Sequence, residues 1–225
     1  MPTIYEAKIK VDAAAIAAIF PKVMPKVGKL KKTQNLTGFV ETFNTYANYF
    51  AIDTALELRH FFSQVGHECD QFNAFEEYAS GSAYEYNKKL GNVYQGDGVK
   101  FKGRGALQTT GRTNYHLANE AMLALPFLSA DEKALFKDDG LVKNPKLLAE
   151  PKWATLAAFI YWNSKDLNKY CMPDNQKVTI RRYNGKVWYD YTCSTFEAIT
   201  RKINGGVNGL DERIALYKKL LAVIR

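Results

Sequence analysis

Thr54-x-x-Glu57 opens a segment in which Leu58, Phe61, Phe62 and Val65 recur at helical spacing, and this feature restricts the fold more than any other. A hydroxyl at the start and a carboxylate three residues on satisfy each other's free N–H groups, which fixes where the helix begins. The apolar stripe then requires a core to lie against. The stripe runs into His67-Glu68, so the far end of the helix delivers a carboxylate. Glu77 follows nine positions later. Nine steps of 100° on an unbroken helix would put the two carboxylates on opposite sides, so the chain must bend between them. Cys69 to Asn73 loses the apolar period, which predicts a helix end followed by a loop that faces back across a cleft.

The run from Gly103 through Gln108, Thr110 and Asn114 to Tyr115 adds a hydroxyl and two amides to the two carboxylates. Glycoside hydrolysis needs this set: one carboxyl group protonates the leaving oxygen, and a second carboxylate on the opposite face activates water or attacks the sugar. Glu68 and Glu77 are the candidates, with Glu85 in Tyr84-Glu85-Tyr86 as the alternative to Glu77. Gly103-Arg104-Gly105 is not a dinucleotide loop, because position 108 is Gln where a third glycine is required and no Walker lysine follows. His67 has no His-Glu-x-x-His partner, so packing and hydrogen bonding suit it better than metal ligation.

Elsewhere the pattern is mainly helical. Asp12 caps a first helix that Pro21 ends or kinks, a second covers Thr37 to Phe50, and Ser129-x-x-Glu132 and Ser194-x-x-Glu197 are further capping boxes. Trp153, Leu156, Ala157, Ile160 and Tyr161 mark another buried helical face. Two hairpins interrupt the helices: a short one around Val99 to Gln108, and a stronger one in which Val178 to Tyr183 and Lys186 to Tyr191 flank Asn184-Gly185. A chain of 225 residues, 47% hydrophobic and without a linker-like stretch, is expected to form one domain over residues 1–225. No apolar run is long enough to span a membrane, and no secretory signal is read at the N-terminus. Three cysteines, without Cys-x-x-Cys spacing, support neither a disulfide framework nor a zinc ribbon. The net charge of +8 favours polyanions such as bacterial wall polymers, while the lack of any nucleic-acid-binding signature argues against nucleic acid.

The segments Phe61 to Glu68, Phe72 to Tyr78, Gly96 to Tyr115 and Ile203-Asn204-Gly205-Gly206 resemble the family 19 glycoside hydrolases. Within that chitinase-like family they are most similar to the phage endolysin and bacterial branch, and the match runs from about Asp12 to the C-terminus. The resemblance implies a mainly α, lysozyme-like α+β fold, bilobal, with a central cleft and small β-hairpins. It also implies Glu68 as general acid, Glu77 as general base and Thr110 as the hydroxyl that holds the attacking water. His67, Gln108, Asn114, Tyr115, Asn204 and Arg213 would form the substrate-binding set, with no metal and no organic cofactor. The expected substrate is the β-1,4-linked glycan of bacterial peptidoglycan, cut with inversion by a monomeric endolysin. Such an enzyme would be made in the host cytoplasm and released through a holin, with anionic envelope polymers as further partners. A chitinase or an antibacterial effector of the same fold, and a non-catalytic wall-binding module, are the other readings. Relative to compact members, the chain inserts a hairpin near 178–191, where Arg181, Arg182 and Lys186 stand beside Tyr183, Trp188, Tyr189 and Tyr191. Such residues suit either sugars and carboxylates or simple scaffold packing.

Overall fold

In a computed structural model that describes residues 4–173 and 175–225, the chain folds mainly into helices. Helix α1 (Ala13–Ile19) starts where the Asp12 carboxylate accepts from the Ala15 N–H at 2.7 Å. It stops with Phe20 in a non-helical conformation, as expected of a residue ahead of proline. Helix α2 (Gly28–Tyr46) begins well before the expected Thr37. Its first turns carry Lys29, Lys31 and Lys32 instead of an apolar stripe, yet Lys32 is buried and its ammonium donates to the Phe20 and Lys22 carbonyls. Tertiary pairing with the end of α1 thus overrides the local pattern.

Helix α3 (Ala55–Glu68) has the predicted capping box: the Glu57 N–H donates to Thr54 Oγ1 at 3.3 Å, and the Thr54 N–H donates to Glu57 Oε2 at 2.9 Å. Leu58, Phe61, Phe62 and Val65 are fully buried. After α4 (Asp97–Lys100), α5 (Arg112–Leu123), α6 (Ala130–Ala134) and α7 (Gly140–Lys143) comes the apolar α8 (Pro151–Ser164). The Phe61 ring lies 5.3 Å from Phe159 and 5.2 Å from Trp162 of α8, and Phe62 lies 4.9 Å from Phe43 of α2. Burying rings of this size contributes roughly 1.5–3 kcal/mol each, so α3 is held by its stripe far more than by its cap.

The bend required between the two carboxylates is tight. Asp70, Gln71 and Phe72 have φ of 52°, 55° and 66°, three consecutive non-glycine residues in the left-handed region. The turn closes through Gln71 N–H to Gly66 O at 2.6 Å and Ala74 N–H to Cys69 O at 3.1 Å.

Two expectations for β structure need correction. Val99 to Gln108 is not a hairpin: it begins in α4, and Arg104 forms isolated bridges with Glu76 and Thr109 instead. The second hairpin exists as β1 (Lys177–Tyr183) and β2 (Trp188–Ser194), but Tyr183 pairs with Trp188 across a four-residue loop. Asn184 Oδ1 accepts from both the Lys186 and Val187 N–H groups at 3.0 and 2.9 Å, and this side-chain turn displaces the two-residue turn expected of Asn-Gly. The slip is by two residues, so each side chain keeps its face. Helix α9 (Thr195–Asn204) follows directly, and α10 (Leu210–Leu220) returns against α3. Ser194 caps α9, but the box is half formed, since the Glu197 carboxylate turns to the Tyr191 hydroxyl and Arg201.

Because one cap hydrogen bond is worth about 1 kcal/mol, Thr54→Ala should lower stability by about that amount and the melting temperature by about 2–4 °C in thermal unfolding. A loss of several times that size would mean that Thr54 supports more than the helix start.

Candidate active site

Glu68 is the last residue of α3, and its Oε1 accepts from Arg213 Nη2 at 2.5 Å. Arg213, on α10, is fully buried; its Nη1 donates to Gln64 Oε1 at 2.6 Å and its Nε to the Asn208 carbonyl at 3.3 Å. A buried guanidinium is tolerable only when paired and hydrogen-bonded, and these three acceptors meet that demand. Arg213, expected close to the carboxylates and in the substrate-binding set, is thus placed against Glu68. His67, one position earlier, pairs through Nδ1 with Glu212 Oε2 at 2.7 Å. Its ring lies so close over Gly209 that a Cβ there would come within 2.0 Å of it, which fixes the start of α10 against the end of α3.

Glu77 sits on the other side of the left-handed turn. Its Oε1 accepts from the Tyr84 hydroxyl at 3.0 Å and its Oε2 from the Gly103 N–H at 3.1 Å, while its own N–H donates to Gly103 O at 2.9 Å. Burial, then the hydrogen bond to Glu77, raise the Tyr84 pKa and keep the phenol a donor. Glu76 is occupied elsewhere, 3.1 Å from Lys102 Nζ and 3.0 Å from Arg104 Nη2. Burial pushes its pKa up, but the two cations outweigh that and hold it below the ordinary carboxylate range. Glu85, the alternative base, accepts the Gly96 and Gly98 N–H groups and ties down that turn.

Gly103 is where the remaining candidates converge. A Cβ on it would lie 2.7 Å from Gln108 Oε1 and 3.3 Å from both Glu77 Oε2 and Thr110 Oγ1. Only a residue without a side chain lets these three groups meet. Gln108 has φ of 53°, and its amide donates to Gly105 O at 2.9 Å. The Thr110 hydroxyl donates to Gln108 O at 2.8 Å, and Asn114 Nδ2 donates to Thr110 O at 2.7 Å. Tyr115, expected to contact substrate, is fully buried; its hydroxyl donates to Lys102 O at 2.8 Å and accepts from Arg104 Nη1 at 3.0 Å. Helical spacing turned it inward, so it supports the loop that Gly103 belongs to.

Gln108, Thr110 and Asn114 line a cleft of about 480 Å³ together with Tyr161, Lys165 and Ile203, while Glu68 and Glu77 are not among its lining residues. Tyr161 donates to the Ile203 carbonyl at 3.0 Å. Its pKa is pushed up to about 12 by burial first and then by the negative charge of Glu68. This position on the cleft is hidden in the sequence, because Tyr161 fits the apolar period of α8. Asn204 is exposed at the end of α9, next to Ile203; its Oδ1 accepts from the Gly206 N–H at 2.8 Å and its Nδ2 donates to Asn208 O at 3.1 Å. Among the described residues, His116, Glu120 and Asp139 bring three ligand atoms within 4.8 Å of one another on the exposed surface, and none of them is a predicted site residue.

No protein-family model matches the sequence. A curated relative, a glycosyl hydrolase family 19 domain-containing protein of Haemophilus influenzae, is 28% identical over 144 residues, which is 60% of this chain and 50% of that protein. The match therefore spans about half of the relative's length. Chitinase C from Streptomyces griseus superposes with a TM-score of 0.55 at 18% identity, over 95% of this chain and 76% of that one. A bacterial family 19 chitinase gives 0.56 at 17% identity, over 96% and 95% of the two chains. The class IV family 19 chitinase from Zea mays gives 0.55 at 16% identity, over 96% and 92%. The chain thus has the lysozyme-like fold of the family 19 chitinases, and part of its sequence is similar to that of a family 19 domain-containing protein.

Removing one partner of a largely buried ion pair leaves the other uncompensated, so Arg213→Met should destabilise the fold by about 3 kcal/mol in denaturant unfolding. Adding Glu68→Gln should recover part of that loss, since the amide needs no counter-charge. Additive losses would show that the pair carries no coupling.

Proposed function

We propose that this chain of family 19 fold is a glycosidase of the endolysin type, cutting the β-1,4-linked N-acetylated glycan of bacterial peptidoglycan with inversion. The observation that carries this reading is the convergence of Glu77, Thr110 and Gln108 over Gly103, across the turn from an Arg213-held Glu68. Glu68 Oε1 is engaged by Arg213, so a proton taken up from solvent before turnover sits on Oε2 and passes from there to the leaving oxygen as the glycosidic bond breaks. The Thr110 hydroxyl has already committed its hydrogen to Gln108 O, so toward water it can only accept. A water that donates one hydrogen to Thr110 and the other to Glu77 presents its oxygen to the anomeric carbon from the side opposite the leaving group. Glu77 takes that proton as the new C–O bond forms. Arg213 then compensates the charge left on Glu68.

The net charge of +8 supports an anionic wall as target over neutral chitin. Chitin is the second reading, favoured by the chitinase activity named for the structural neighbours. The intact carboxylate pair and Thr110 speak against a purely wall-binding module. In this reading the chain works as one monomeric catalytic unit, made in the host cytoplasm and released to the wall through a holin.

Glu68→Gln and Glu77→Gln should each lower turnover of purified peptidoglycan by at least about 10²-fold while folding and glycan binding persist. Wild-type-like lysis by either variant would overturn its assignment. The first-formed anomer, followed by NMR on a soluble oligosaccharide, should be inverted, and mass spectrometry of the fragments should identify the reducing-end sugar.

A further inference from the structure

The β1–β2 hairpin has two unlike faces. Outward lie Thr179, Arg181, Tyr183, Trp188, Asp190 and Thr192, joined as cross-strand pairs, with Arg181 and Asp190 3.4 Å apart and the Tyr183 and Trp188 rings at 5.4 Å. Toward α9 lie the buried Ile180 and Cys193, followed by Arg182 and Tyr191. The cations that look alike in the sequence are therefore not equivalent, since Arg181 has a cross-strand carboxylate and Arg182 faces inward. There Arg182 and Arg201 both lie over the Tyr191 ring, at 5.1 and 5.2 Å. Arg201 is paired with Glu197 at 2.7 Å, whereas among the described residues neither Arg182 nor Lys202 forms a salt bridge.

Arg182, Arg201 and Lys202, with Tyr183 and Trp188, line a pocket of about 220 Å³ at the end of α9. Arg181 lines it as well, no carboxylate does, and of its four cations Arg181 and Arg201 have carboxylate partners just outside it. The pocket is too small for a sugar chain and suits an end group. The next residue of α9, Ile203, lines the proposed catalytic cleft, and Gly205 just beyond it lines the pocket. A glycan in the cleft would thus bring its substituents to the hairpin.

We propose that this pocket is a carboxylate subsite that takes the acidic groups of the peptide stems carried by a peptidoglycan strand. The proposal rests on the peptidoglycan reading of the cleft. Arg182 supplies a forked pair of donors, and Lys202, whose ammonium rests 5.1 Å over the Tyr170 ring, a point charge beside it. The subsite would let the enzyme favour peptide-bearing glycan over neutral polymer without any change at the carboxylates that carry out hydrolysis.

The test measures sedimentation binding and turnover for the wild type, for R182Q/K202Q, and for a charge-matched control, K137Q/K146Q, at exposed lysines that line neither cleft nor pocket. Substrates are intact sacculi, sacculi with carboxylates amidated, sacculi stripped of phosphodiester polymers, and soluble N-acetylglucosamine oligomers. The double variant should bind intact sacculi roughly tenfold more weakly and lose its response to amidation, as expected when charge-assisted hydrogen bonds are removed. The control should behave as wild type, and all three should cleave the neutral oligomer equally. Folding of each is checked by thermal unfolding, and R182K/K202R, which keeps both charges, should retain most binding. Wild-type binding by a folded double variant, equal loss in the control, or loss that tracks phosphodiester removal instead of amidation overturns the subsite alone. A wild type that cleaves the oligomer but neither binds nor cleaves any sacculus overturns the peptidoglycan reading, and the subsite with it.

Discussion

Everything in the candidate site depends on the left-handed turn of Asp70, Gln71 and Phe72. Left-handed backbone costs an L-residue roughly 1–2 kcal/mol, and here three such residues follow one another without a glycine. The compensation is visible around them. The Phe72 ring is fully buried at 5.1 Å from both Phe20 and Phe39, the Asn73 amide donates to Lys22 O at 3.0 Å and Asp70 O at 2.6 Å, and Asn35 donates to Phe72 O at 3.0 Å. One buried ring and this set of hydrogen bonds exceed the strain of the turn. Strain over-determined by its surroundings is a means of holding groups in place. In this chain it separates the residue that ends α3 from the residue that meets Gly103.

The same economy sorts two adjacent glutamates. In an extended segment neighbouring side chains point to opposite sides, so Glu76 and Glu77 cannot share an environment. Glu76 goes to Lys102 and Arg104, and Glu77 goes to the Gly103 N–H and the Tyr84 hydroxyl. The division has an electrostatic consequence. Lys102 and Arg104 flank Gly103 in the chain, and their charge is taken up by Glu76, which leaves Glu77 with neutral donors. The two adjacent carboxylates thus differ in partner: one is bound by cations, the other by an amide and a phenol.

What the sequence revealed and what it hid follow the same division between local and long-range chemistry. Asp12, Thr54-x-x-Glu57 and the stripe of α3 are local signals, and each is found as expected. The start of α2 was hidden because it depends on Lys32 reaching carbonyls of another segment. The register of β1 and β2 was hidden because the Asn184 side chain, not the Asn-Gly pair alone, defines the loop. Tyr115 and Arg213 sit at positions matching the family pattern and both are buried, Arg213 against Glu68 and Tyr115 under the Lys102 to Arg104 loop. Tyr161 was missed for the opposite reason: an aromatic at helical spacing reads as core, and only the assembled cavity, with Gln108 and Thr110 beside it, reveals its place.

The last turn of α9 joins the cleft to the hairpin, and its sequence shows how one short element can serve both. Ile199 and Thr200 are buried, which anchors the helix. Arg201 is held by Glu197 through an i,i+4 pair, so its charge is fixed beside the Tyr191 ring. Lys202 and Ile203 give their carbonyls to Tyr161, and the two residues line the pocket and the cleft respectively. Gly205, at φ of 79°, then ends the helix where any other residue would be strained, and Asn204 remains exposed beside it. A displacement of this turn would therefore be felt in the cleft wall and the basic pocket together, because the same backbone segment positions both.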